Sequence, residues 1–234
     1  MRRSVAALTV GLAMGAMSLA PGTGTPAQYP GEEGPIEIEK CQTISKPGSY
    51  VLVKNLVSTG GNCLVLAADH ITIELAGFSI SGNGTGAGVA AIGGAPLRGI
   101  AVRNGSISNF AVEVLLEAAD GSIVEGLRLS GLRPAAGGVG IDAHGVVRGN
   151  TLISIPATGI LASGIITDNY ISDSGAGIGA GAGSTVIGNT AVNNAKAGIA
   201  ANCPSNVTNN TAVNNGVNLQ LIFEGCNSTD NVAP

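Results

Sequence analysis

A six-residue segment occurs twice in this chain. Asn189-Thr-Ala-Val-Asn-Asn194 returns unchanged as Asn210-Thr-Ala-Val-Asn-Asn215, 21 residues later. Weaker copies begin at Asn150 and Asn169, so the leading Asn residues step by 19, 20 and 21. A period near 20 residues marks a stacked repeat rather than an ordinary globular packing. Apolar residues recur on the same period: Val147, Ile166, Val186 and Val207 stand three places before the Asn. Ile153, Val192 and Val213 stand three places after it, with Ile171 one place early. Upstream, Gly77, Asn104 and Gly126 take the slot at wider steps, which indicates insertions. Each repeat reads as a short strand, a polar corner and another short strand. Asn and Gly tolerate the left-handed backbone of a sharp corner, and Asn side chains in register can bond along a stack. The expected structural corner is therefore Asn104, Asn150, Asn169, Asn189 and Asn210.

A third apolar run completes the repeat, as in Gly138-Val-Gly-Ile-Asp142, Gly159-Ile-Leu-Ala162, Gly177-Ile-Gly-Ala180 and Gly198-Ile-Ala-Ala201. Three short strands per turn, with each turn rising by about the strand spacing of 4.8 Å, make a parallel β-solenoid. With 37 glycines and 3% aromatics the chain suits narrow coils stacked on small residues. Over roughly residues 48–225 the pattern resembles the right-handed parallel β-helix proteins, the pectin-lyase-like superfamily and its carbohydrate-associated repeats. The resemblance implies an all-β, right-handed parallel β-helix of about 7–8 coils. It also implies contact with a polysaccharide or other glycan through an exterior strand face.

The resemblance transfers no catalytic residue. The Asn-Thr-Asp motif of the polygalacturonases is here Asn-Thr-Ala, and their Gly-His-Gly and Arg-Ile-Lys motifs are missing. Of the Asp-Pro-His-Asp run of the alginate epimerases, Asp142-Ala-His-Gly145 keeps the Asp and the His. The acidic calcium cluster of the pectate lyases has no counterpart, so neither a metal nor another cofactor is expected.

The ends read differently from the repeat. Residues 1–27 have the order of a secretory signal: Arg2 and Arg3, an uncharged apolar run from Val5 to Ala20, then a small, Pro/Gly-rich stretch. The apolar run is short for a membrane span, and no second one follows, so no span is expected after removal of the signal. The expected localisation is secreted, periplasmic or cell-surface. Residues 28–47 are read as a cap on the exposed end of the solenoid, and 226–234 as a closing tail. Cys41 and Cys63 are 22 residues apart and Cys203 and Cys226 are 23 apart, about one coil each. Neighbouring coils suit the Cα separation of a bridge. An even count in an exported chain favours two disulfides over free thiols or a four-cysteine metal site.

Without Arg2 and Arg3, 9 basic residues face 15 acidic ones, a charge of −6. Such a chain lacks the clustered Lys and Arg that nucleic-acid binding needs. Ionisable residues concentrate between Arg98 and Arg148, which hold eleven, His144 included, against five from Asn150 onward. Glu125 and Arg103 share a position relative to the corner and are expected to pair as stacked neighbours; an exposed pair of this kind is weakly stabilising. Asp142 and His144 form a candidate acid–base pair, with Glu117 one coil away and Arg148 nearby. Asp142, His144 and Arg148 are thus the candidate catalytic residues, and Glu117, Asp142 and His144 the candidate binding residues. The competing reading makes His144 a corner residue. Sequons at Asn83, Asn104, Asn206, Asn209 and Asn227 are read as corner residues of the repeat rather than as glycosylation sites. The Gly-rich stretch Ser81–Ala95 is read as a loop that either walls a groove or turns a corner.

Three functions fit: a carbohydrate-contacting module, a polysaccharide lyase, hydrolase or epimerase with its site between residues 98 and 148, and a structural or adhesive surface module. The last rests on the small, flat runs Gly177–Gly183 and Lys196–Ala201.

Overall fold

The computed structural model describes residues 34–92, 96–131 and 138–234. The expected signal at 1–27 and the first part of the expected cap, 28–33, lie outside the described residues. The chain is an all-β parallel solenoid of about 9 turns, somewhat more than the 7–8 expected. The extra turns come from both ends. Ile36–Ile38 and Gln42–Ile44 pair in parallel with Gly48–Leu52 and Leu64–Leu66, so residues 34–47 continue the stack as a shortened turn. At the other end Asn227–Thr229 pairs with Asn206–Thr208, and Val232 bridges Thr211.

A typical coil contributes three strands, and like strands stack into three faces. On the first face Ile73, Val102, Val124, Val147, Ile166, Val186 and Val207 stand in one column, all fully buried. On the second face the interior column is Ile80, Ile107, Leu129, Leu152, Ile171, Ala191 and Ala212. The buried position thus lies two residues after the corner Asn, not three. Ile171 is in register, whereas Ile153 faces outward and is 43% exposed. The third face has two interior columns. One runs Val89, Val114, Ile141, Ile160, Ile178 and Ile199; the other runs Leu66, Ala91, Leu116, Ala143, Ala162, Ala180 and Ala201. From Ala143 to Ala201 the second of these is alanine alone, which matches the shorter 19–21-residue coils of that half.

The Gly-rich stretch read as a loop holds a third-face strand, Ala87–Ala91. Its glycines answer to crowding: a Cβ on Gly88 would come within 2.4 Å of Ile107 Cγ2, and one on Gly86 within 2.2 Å of the Gly61 backbone. The coil ends are stapled as the spacing predicts. Cys41–Cys63 and Cys203–Cys226 are disulfides, with Cα separations of 4.4 and 4.9 Å.

The corner after the first face divides its work between two adjacent residues. The left-handed backbone falls on Asn104, Gly126, Gly149, Asp168, Gly188, Asn209 and Asp230. The next residue points inward, and from Asn150 on it is always Asn: Asn150, Asn169, Asn189, Asn210 and Asn231. Asn104 therefore lies outside the buried ladder. It sits at φ 57° and its amide donates to Glu74 Oε2 at 2.9 Å. Within the ladder the side chains of Asn150, Asn169, Asn189 and Asn210 each tie three coils. The Asn189 amide donates to Asn210 Oδ1 at 3.0 Å and to Ile166 O at 2.8 Å. Its Oδ1 accepts the Asn169 side-chain amide and backbone N–H, both at 3.0 Å. Both donors and both acceptor sites of the amide are used, as a group 1% exposed requires. A second ladder, Ser174–Asn194–Asn215, does the same at the next corner. The inward slot there is filled by Phe110 and Ile155 in earlier coils.

Asn189→Ala removes the acceptor of the Asn169 backbone N–H and side-chain amide, and buried donors left unpaired cost about 1–3 kcal/mol each. Urea unfolding should show a loss of roughly 3 kcal/mol or more. Asn104→Gly, at an exposed left-handed corner that glycine adopts freely, should change stability by less than about 1 kcal/mol. Equal losses would contradict the division of labour at the corner.

Candidate functional site

The third face carries a groove of about 240 Å³ on its outer side. Two outward columns build it. One is Asp142, Leu161, Gly179 and Ala200, paired in register. The other follows two residues on and consists of Glu117, His144, Ser163, Gly181, Asn202 and Ile222. Alternation along each strand sends these residues outward while Ile141 and Ala143 point in. The trough exists because side chains vanish in the middle. Leu161 leans over Gly179, where a Cβ would stand 3.2 Å from Leu161 Cδ1. The runs Gly177–Gly183 and Lys196–Ala201, expected as a flat strip, supply the floor of this groove through Gly179, Gly181 and Ala200.

Three of the four candidate residues come together here. Glu117, Asp142 and His144 all line the same end of the groove. Burial raises the Asp142 pKa above its ordinary value, the negative charge of Glu117 raises it further, and His144 acts in the opposite direction. Position six before the corner Asn puts His144 inside its strand, directly before the bend at Gly145, and its carbonyl accepts the Ser122 hydroxyl at 2.9 Å. The corner reading and the groove reading of His144 thus describe the backbone and the side chain of one residue.

Arg148 does not join them. At Gly145 the backbone turns with φ 144°, and a Cβ there would stand 2.2 Å from Ser122 O. The same strand, Val139–Arg148, therefore crosses from the third face to the first. Arg148 Nε donates to Glu125 Oε2 at 2.6 Å, and Arg103 Nε lies 2.9 Å from Glu125 Oε1. The charges at 103, 125 and 148 form an alternating ladder on the first face. Asp168 lies one position later, in the left-handed corner column with Gly149. Among the described residues no group of three or more His, Cys, Asp or Glu is placed to hold a metal ion. The sequon side chains serve their neighbours: Asn83 donates to Thr59 O at 2.6 Å and Asn227 to Asn206 Oδ1 at 2.8 Å.

One unusual acid was not singled out from sequence. Glu113 is 1% exposed in the strand Val112–Leu116. Its flanking residues pair with those of Gly88 and Gly140, so it stands between glycines in its column. A charged residue in the slot of Gly140, Gly159, Gly177 and Gly198 was the available signal. Both carboxyl oxygens lack a hydrogen-bond partner among the described residues. Burial pushes its pKa up to about 8; the nearby backbone N–H groups of Glu113 and Phe110 pull it down in part without reaching good hydrogen-bond geometry. Glu113 is therefore mostly neutral at pH 7.

The folded-state pKa lies above the unfolded one, so the unfolded chain loses this proton first. The contribution of Glu113 is most favourable below pH 4.5, declines as pH rises toward 8 and is constant above. The full decline is about 5 kcal/mol at 1.36 kcal/mol per pH unit. In urea titrations across this range Glu113→Gln should remove that decline relative to the unmodified chain. Parallel pH profiles for the two proteins would rule out a buried, neutral Glu113.

Compared with protein-family models, curated proteins and solved structures, the chain matches none.

Proposed function

We propose that this protein is an exported solenoid that holds a glycan chain along its third face. The observation that carries the reading is the run of the groove across six successive coils, from Glu117 to Ile222. Six coils at the strand spacing extend about 24 Å along the stack, which suits an extended chain better than a compact ligand. The lining combines apolar floor with a few polar groups, Ser163 and Asn202 among them, as specific ligand grooves do. The resemblance of the repeat to the carbohydrate-associated, pectin-lyase-like β-helices supports the same reading. Two disulfides support an exported protein, and among the described residues no helix is long and apolar enough to cross a membrane.

A second reading, catalysis at the same place, is favoured by one observation. Asp142 is held toward its protonated form beside Glu117 and His144, which is how two carboxyls are given separate acid and base roles. Hydrolysis, elimination and epimerisation of a sugar all draw on such a pair. Arg148 has no part in this set.

A glycan-array and polysaccharide-turnover screen on the chain without residues 1–27 separates these readings. Binding should be abolished by Ala200→Tyr, which fills the floor of the groove at a site remote from the corners. Turnover that disappears in Asp142→Asn or His144→Ala would make the protein an enzyme. Binding untouched by Ala200→Tyr would place the glycan elsewhere, and absence of all binding and turnover would favour the structural module.

A further inference from the structure

The groove is electrically one-sided. Its acidic groups, Glu117 and Asp142, sit at one end beside His144, and none of its lining residues is Lys or Arg. Neither carboxylate forms an ion pair among the described residues. The arginine on the same strand, Arg148, is committed to Glu125 on another face. A polyuronate laid in this groove would bring its carboxylates against Glu117 and Asp142 with no guanidinium or ammonium to receive them. Like charges at that distance oppose binding, and the negative net charge of the chain adds to the effect. The other end is neutral, with Gly179, Gly181 and Ala200 beneath and Ser163 and Asn202 at the rim.

We propose that the glycan held in this groove carries a primary amine, an amino sugar whose ammonium sits between Glu117 and Asp142. The inference rests on the groove being a glycan site and specifies which glycan it takes. An ammonium has three N–H donors and no acceptor, so two carboxylates on adjacent coils complement it, with a third bond left for a sugar or water oxygen. It also offsets the repulsion between Glu117 and Asp142, which His144 counters only in part. The neutral part of the chain then runs over the glycine floor, where hydroxyls meet Ser163 and Asn202.

The test is calorimetric titration of the chain with three oligomers of equal length: β-linked glucosamine, its N-acetylated form, and galacturonate. The amino oligomer should bind about tenfold or more tightly than the acetylated one, galacturonate weakest, as one charge-assisted pairing implies. The advantage should shrink as salt is raised, and the isosteric Glu117→Gln/Asp142→Asn variant should erase it. Equal binding of the amino and acetylated oligomers, or tighter binding of galacturonate, would overturn the amine assignment while leaving the groove a glycan site. If none of the three binds and the array is also silent, the glycan reading falls and this inference with it.

Discussion

A solenoid this narrow turns its backbone sharply several times per coil, and every sharp turn strands N–H and C=O groups away from water. From Asn150 to Asn231 the corner after the first face meets that constraint with one residue type. Each inward Asn from Asn150 to Asn210 accepts from the coil before it, donates to the coil after it, and returns its second proton to a carbonyl further back. Because no donor or acceptor is spare, a coil out of register by one residue would orphan several buried groups at once. The apolar columns drive collapse of the stack, but a column of Val and Ile tolerates sliding along itself. The amide ladder does not, so it sets the register of the coils from Asn150 to Asn231.

That register is what makes a surface site out of residues with no local relationship. Asp142, Leu161, Gly179 and Ala200 come from four different turns and become one row only because coils of 18–21 residues are held level. The groove is then a by-product of composition along the row: an acid end, one leucine, and a glycine gap. The same logic sends Arg148 away, since one tight corner at Gly145 separates it from His144 four residues earlier. Distance along the strand is a poor guide in such a fold; the level in the stack and the face decide which side chains meet.

The repeat, the three strands per coil, both disulfides and the first-face column were legible because each depends on spacing alone. The charge pairing of Arg103 with Glu125 followed from the same counting. What failed was phase by a single residue. The spacing assigns the left-handed turn to the Asn, whereas from Asn150 onward the residue before each carries it; Asn104, left-handed itself, belongs to that preceding column. The same slip put Ile153, Val192 and Val213 inside, where Leu152, Ala191 and Ala212 lie. Alanine in a core column gives no hydrophobic signal of its own, and larger outward neighbours outweigh it. Glu113 escaped for the opposite reason: its column is defined by glycines, whose burial is invisible until the coils are aligned.

The Asn side chains, and not only the strands, lock the stack. Hydrogen exchange of the side-chain amide protons of Asn169, Asn189 and Asn210, followed by NMR, tests this most directly. If the ladder holds as described, these protons are protected to the level of the backbone amides of Val147, Ile166 and Val186. Exchange as fast as that of the exposed Asn214 side chain would show that the ladder is open in solution and that apolar packing alone sets the register.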